Sequence, residues 1–328
     1  MPDTSAFAAL AVPLASLWAD RQSALHPRAD QAAASAEIGA VMFTAGAAIF
    51  LLVMMILALA MYGPPAWRRV LAGRRWLVAA GAVFPVVVLT ALLVYSVGLA
   101  ANMLRHAEPA AARIEIIGEM WWWRVRYLDE QGQVLFETAN EMRIPVGQPV
   151  ELLLSSRNVI HSFWVPNLSG KVDMVPGHVN RLRLQARETG TWRGQCAEYC
   201  GAQHANMMFD VHVLQADAYQ AWLHAQRQPA TANPADARLR AGSQVFAQAC
   251  AQCHTVRGTS AAGASGPDLT HIGSRTSLAS GMLPNNVGTL AGWIAGSQHI
   301  KPGNAMPSFR NLSGEQLRAV AHYLESLQ

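Results

Sequence analysis

The stretch "QCAEYCGAQHANMMF", Gln195 to Phe209, sets Cys196 and Cys200 four residues apart, with His204, Met207 and Met208 close behind. A disulfide is the plain reading of two cysteines, but it is strained on so tight a loop and leaves the imidazole and thioethers unexplained. Soft thiolate and thioether ligands beside imidazole select copper over calcium or magnesium. One copper in the blue-copper pattern needs one thiolate; two thiolates from a single loop are able to bridge two ions. Such a site needs a second imidazole, and "NVIHSFWVPNLSGKVDMVPGHVNRL" offers His161.

The other two cysteines lie in "CAQCH", Cys250 to His254. A bare C-x-x-C serves equally as a redox disulfide or half a zinc site. The contiguous histidine reads instead as c-type haem attachment, with Cys250 and Cys253 as thioether partners and His254 as axial ligand. The spacing suggests that all three side chains project from one helix. Ligation by methionine raises a haem potential, and "KPGNAMPSF" supplies Met306 as the sixth ligand, with Met282 as its rival. All four cysteines are thereby used.

The surrounding elements must hold these groups. From Arg105 to Leu214 short runs such as "IEIIGEMWWWRVRYLDE", "PVELLLSS", "RLRLQAR" and "MFDVHVL" read as strands of a β-sandwich or barrel. "ADAYQAWLHAQ" reads as a short helix, and "RQPATANPADA" as a semi-extended linker over residues 227–237. "ARLRAGSQVFAQACAQCH" is helical in pattern. The final "SGEQLRAVAHYLESLQ" is a helix capped by Ser313, with Leu317, Val320, Ala321 and Leu324 on its apolar face.

Apolar residues make up 52% of the chain and charged residues only 14%, against about 25% charged in ordinary soluble domains. The cause is local: Ile38–Trp67 and Trp76–Leu104 carry no charge, and each exceeds the ~20 residues that cross a bilayer. Between them lie Arg68, Arg69, Arg74 and Arg75 without an acid, which places that loop, residues 68–75, in the cytoplasm. These four arginines match the formal net charge of +4, so the basic balance reports topology and gives no nucleic-acid footprint. "AFAALAVPLASLWA" resembles a signal-peptide core over residues 1–19 but lacks the basic flank; the other reading is an apolar segment on the outer membrane face.

The pattern C-x-E-x-C-G-x-x-H-x-x-M with upstream "HSFWVP" resembles subunit II of the haem–copper cytochrome c oxidases and its dinuclear copper A centre, over about Gln22 to Leu214. The resemblance implies a cupredoxin-like fold. It implies Cys196 and Cys200 as bridging ligands, His161 and Met207 completing one copper, and His204 with the Glu198 carbonyl completing the other. The Glu198 side chain would reach a magnesium ion facing subunit I. In "GEMWWWRVRY", Trp121 aligns with the residue through which electrons enter copper A; Trp122 and Trp123 are lesser candidates. Lys171 and Asp173 match the segment facing subunit I, whereas His178 stands where the family often has Arg. "GPDL", Gly266–Leu269, resembles the cytochrome c loop whose Pro carbonyl orients the proximal histidine.

The expected protein is therefore a multidomain membrane chain: an N-terminal segment (1–37), a transmembrane hairpin (38–104), a cupredoxin-like copper A domain (105–226), a linker (227–237) and an all-α cytochrome c domain (238–328). It would be subunit II of a caa-type oxidase in a bacterial inner membrane, with both termini and both redox domains on the periplasmic side. Partners would be subunits I and III and an electron donor, a cytochrome c or the cytochrome bc complex. Oxygen reduction and proton pumping would occur in subunit I. The competing readings are the copper A subunit of a nitric oxide reductase and a non-catalytic copper-delivery or redox-sensing protein. The remaining histidines, including His106, His212 and His271, read as ordinary surface or core residues.

Overall fold

The computed structural model describes residues 21–104, 109–230 and 236–328. The signal-peptide reading of residues 1–19, His106 and the middle of the linker lie outside them. The chain divides into two compact units, one of residues 33–108 and one holding the rest.

In the first unit, helix α1 (Asp30–Tyr62) is followed by the short α2 (Pro65–Leu71), then α3 (Arg74–Val78), a π-helical turn at Ala79–Val83 and α4 (Phe84–Leu104). Two stretches, Asp30–Tyr62 and Arg74–Ala101, are long and apolar enough to cross a membrane. Side chains such as Phe50, Leu51, Val86 and Leu89 are exposed along them, as lipid-facing residues would be. The Tyr95 hydroxyl donates to Glu37 across 2.7 Å and links the two helices. Helix α1 begins ahead of the uncharged run that starts at Ile38, because Asp30 in its first turn suits the positive end of the helix dipole.

The second unit opens with a β-sandwich. One sheet has the order β3-β2-β1-β5-β8 and the other β4-β10-β9-β6-β7. The strands of the first are β1 (Ala112–Glu119), β2 (Trp122–Leu128), β3 (Val134–Ala139), β5 (Val150–Ser156) and β8 (Asn180–Leu184). Those of the second are β4 (Glu141–Pro145), β6 (His161–Trp164), β7 (Val172–Met174), β9 (Gly190–Cys196) and β10 (Met208–Leu214). Most pairings are antiparallel, but β1 runs parallel to β5 and β10 parallel to β4. This is the cupredoxin-like architecture. Alternate residues of each strand face the core: Ile114 and Ile116 from β1, Val150, Leu152 and Leu154 from β5, Val211 and Val213 from β10 are all buried. The single run read from "IEIIGEMWWWRVRYLDE" is two strands, because the chain reverses at Met120–Trp121 and pairs Glu119 with Trp122.

Residues Arg21–Ala32 pack on this sandwich. Ala29 bridges Ala186, and the Arg28 amide donates to the Asn167 carbonyl at 2.7 Å. Helix α5 (Ala216–Arg227) covers the far side through Trp222, which meets Tyr127 and Phe136 and is backed by the buried Tyr219.

Beyond the linker, α6 (Ala237–Ala249), α7 (Val287–Ile300) and α8 (Gly314–Ser326) enclose a second core. Gly242 lets α6 and α8 cross closely: a Cβ there would stand 2.2 Å from the Ala319 carbonyl. The Ser313 cap is completed by Gln316 in a reciprocal capping box. The haem-attachment motif does not lie inside a helix as its spacing suggested. Helix α6 ends at Ala249, and Cys250–His254 form a turn held by the Cys253 and His254 amides donating to the Cys250 carbonyl at 3.0 and 3.1 Å.

Candidate electron-transfer site

Strand β6 carries His161, β9 ends at Cys196, and the loop before β10 carries Cys200, His204 and Met207. The pairing of β6 with β9 and of β9 with β10 gathers them at one end of the second sheet. His161, Cys196, Cys200 and Met207 are buried. Cys196 Sγ lies 3.7 Å from Cys200 Sγ, 3.7 Å from His161 Nδ1 and 3.2 Å from the Glu198 carbonyl oxygen. Cys200 Sγ lies 3.6 Å from His204 Nδ1 and 3.9 Å from Met207 Sδ. A disulfide needs sulfurs about 2.05 Å apart, and both cysteines are free.

The supports aim these donors inward. His161 Nε2 donates to Asn158 Oδ1 at 3.2 Å, which leaves Nδ1 facing Cys196. Gly118 makes room for the ring, since a Cβ there would meet His161 Cδ2 at 2.7 Å. Trp123 is buried between His161, Phe163 and Phe209 and walls the site on its core side. Hydrogen bonding from Cys200 pulls the Cys196 thiol well below the usual thiol range, and that same contact, with burial, pushes Cys200 up. Thiols bind metal cations as thiolates, so filling the site would release protons. Two thiols, two imidazoles, a thioether and a carbonyl converging in a buried cage fit a dinuclear copper centre.

Of the two methionines, Met207 faces the sulfurs, whereas Met208 donates its amide to the Ser280 carbonyl at 3.2 Å in the helical domain. The Glu198 carboxylate turns outward and stands 3.8 Å from Lys171 Nζ. His178 meets Asn180 at 3.1 Å rather than an acid.

The second site is a cavity of about 430 Å³ whose lining includes Cys250, Cys253, His254 and Met306. That size suits a cofactor. His254 Nδ1 donates to the Pro267 carbonyl at 2.8 Å, leaving Nε2 for a metal. Burial keeps its pKa below the usual imidazole range, which favours the neutral ring that metal ligation requires. Gly266 leaves space for that ring; a Cβ would stand 2.5 Å from its Cε1. Met306 is on the cavity wall and Met282 is not. These residues fit a covalently attached haem.

The wall of this cavity is not made by the helical domain alone. Met120, Trp121, Trp122 and Asn140 of the β-sandwich line it too. Trp121 therefore reaches both places: it borders the cavity, and its Nε1 donates to the Cys200 carbonyl at 2.8 Å. The three tryptophans divide their work. Trp123 fills the core, and Trp122 lies under the Arg124 guanidinium at 4.7 Å.

The two domains are joined by contacts that sequence reading did not find. Arg124, buried against Glu119 and Glu137, donates to the Ala264 carbonyl at 3.0 Å. Gln203 Nε2 donates to the Pro302 carbonyl at 2.9 Å, and Thr276 donates to Glu141 through N and Oγ1, both at 2.9 Å. Lys301 places its Nζ 2.7 Å from the Trp121 carbonyl and 2.8 Å from that of Asn206. The only sequence signal was a lysine opening the Met306 loop in a chain poor in charge. The start of the linker is pinned as well, with Arg257 donating to the Gln226 and Arg227 carbonyls and His271 to that of Gln228.

Residues 124–214 match the family model described as the periplasmic domain of cytochrome c oxidase subunit II, and residues 239–328 match cytochrome c. A curated relative, cytochrome c oxidase subunit 2 of Alkalihalophilus pseudofirmus, is 39% identical over 216 residues, covering 66% of this chain and 61% of the relative. That of Bacillus subtilis is 30% identical over 235 residues, covering 68% and 64%. The match thus spans less than two thirds of these relatives. Among solved structures, the periplasmic domain of subunit II (CoxB) of Bradyrhizobium japonicum is 28% identical and covers 37% of this chain and 97% of that one, with a TM-score of 0.34.

Proposed function

We propose that this chain, in which a match to the periplasmic domain of cytochrome c oxidase subunit II is followed by a match to cytochrome c, is the electron-accepting subunit of a caa-type haem–copper oxidase. The single observation that carries this reading is Trp121, one residue in the wall of the haem cavity and in hydrogen-bond contact with Cys200. When bound, haem c and copper A supply two one-electron redox centres.

Cys250 and Cys253 would hold the haem covalently, His254 and Met306 its iron. His161, Cys196, the Glu198 carbonyl, Cys200, His204 and Met207 would hold the two coppers. The β-cage keeps those donors in place on oxidation and reduction, which keeps reorganisation small. Trp121 provides the bonded path from the cavity to Cys200. The Glu198 carboxylate, half exposed beside Lys171, is the group available to a magnesium ion on the face toward subunit I. Oxygen reduction and proton pumping belong to that partner subunit. The two apolar helices would anchor the chain in a bacterial inner membrane, with the arginine-rich turn on the cytoplasmic side and the redox domains on the periplasmic side.

The nitric oxide reductase reading is not favoured, because the relatives named above are oxidase subunits. A copper-delivery role is disfavoured by the burial of His161, Cys196, Cys200 and Met207, since delivery needs an exchangeable site. The test is turnover of the purified complex with oxygen and with nitric oxide, together with optical and EPR spectra. Oxygen turnover with a haem c band and a mixed-valence dicopper signal is expected. Nitric oxide turnover alone, or copper that a chelator strips readily, contradicts it.

A further inference from the structure

We infer that Lys301 is the positioning residue that seats the haem domain on the copper-site domain, by clamping its ammonium group onto the backbone around Trp121. The inference rests on the electron-relay reading above.

Lysine is almost never fully buried without a partner, yet Lys301 is only 3% exposed. Its three donors meet three carbonyl oxygens: Trp121 at 2.7 Å, Asn206 at 2.8 Å and Ala279 at 3.3 Å. One of the three belongs to its own domain. The other two belong to the copper-site domain, at residues that matter to the relay. Trp121 donates to Cys200, and Asn206 precedes Met207.

The neighbours of Lys301 act on the same spot. Pro302 accepts from Gln203 at 2.9 Å. The Gly303 backbone lies against the Trp121 ring, where a Cβ would be 3.5 Å from Cη2. The loop at Ala279–Gly281 adds a second hand: Ser280 Oγ donates to the Trp121 carbonyl at 2.9 Å, beside Lys301 on the same acceptor. That loop places Ala279 and Ser280 at φ 53° and 61°, a left-handed conformation that non-glycine residues adopt at a cost and that persists where the surroundings enforce it. The contact is directional as well as close. A methionine of the same length would fill the space of the lysine stem but remove the lysine's donor from all three carbonyls, leaving Ser280 alone on that of Trp121.

The test uses the full chain in its complex. Lys301→Met should leave the haem c spectrum and the dicopper EPR signal intact, slow electron transfer from haem c to the copper centre by about tenfold or more, and make it fall with added salt. Amide hydrogen exchange should rise at Trp121–Trp122 and at residues 279–281. Lys301→Arg, which keeps charge and donors, should recover part of the rate. Ser280→Ala, which removes the other donor to the Trp121 carbonyl, should give a smaller loss and carries the test if Lys301→Met fails to load haem. A Lys301→Met protein with both spectra intact, a rate within twofold of the parent and unchanged exchange overturns the inference and leaves the relay reading standing. A parent complex that binds both centres and shows no transfer between them overturns the relay reading itself.

Discussion

The indole nitrogen of Trp121 donates to the carbonyl oxygen of Cys200 across 2.8 Å, while the same residue forms part of the wall around Cys250, Cys253 and His254. The contact is tight because Gly201 follows Cys200: a Cβ on Gly201 would stand 3.2 Å from Trp121 Cζ2, and its φ of 109° suits glycine. Trp121→Phe keeps an aromatic side chain, though a smaller one, and removes the donor. It should slow haem-to-copper transfer with both centres still bound, at a stability cost of about 0.5–1.5 kcal/mol for the lost hydrogen bond. Flash kinetics and thermal unfolding check the two parts separately; an unchanged rate contradicts the bonded path.

Cys196→Ser or Cys200→Ser should abolish the mixed-valence dicopper EPR pattern and leave haem c intact. Each sulfur faces an imidazole and the other sulfur, so neither is replaceable by the remaining one. A dinuclear signal that survives in either variant contradicts the shared bridging role.

Met306→Ala should leave haem covalently attached, remove the methionine-to-iron band in the near red and lower the potential. Met282→Ala should do none of this, since Met282 is not on the cavity wall. The opposite pattern would reassign the sixth ligand.

Acid should loosen the contact between the two redox domains. Burial pushes Glu141 up, but the hydrogen bond and charge of His212, the Thr276 N–H and the charge of Arg143 outweigh it, so its pKa is lowered in the fold. A carboxylate with a depressed native pKa contributes stability that is present above the ordinary value of about 4.3 and is lost as pH falls through the native value. Glu141→Gln should therefore flatten the acid limb of interdomain docking, followed by hydrogen exchange at Thr276. An acid limb identical to that of the parent contradicts the assignment.

Much of this was legible because the chemistry is dense and local. The Cys196–Met207 loop and Cys250–His254 carry most of the candidate ligands within a dozen residues, and the distant candidates His161 and Met306 sit in distinctive runs. The uncharged helices and the Ser313 cap follow from composition and pattern. What stayed hidden depends on chain reversal and docking. Nothing local marks the turn at Met120–Trp121, which splits one apparent strand into two. The burial of Lys301, Arg124 and Ser280 arises between domains whose sequences are separated by a linker, and no periodicity within either domain registers it. The overall charges are nearly balanced in the β-domain and basic in the haem domain. The contacts are instead mostly directed hydrogen bonds to backbone carbonyls.

The most direct measurement delivers a single electron to haem c in the purified complex and follows its oxidation against reduction of the copper centre. The structure predicts a first-order transfer, independent of protein concentration and nearly independent of ionic strength, because the partner is docked and tethered. A transfer that needs added cytochrome c, or that collapses as salt rises, would contradict the account.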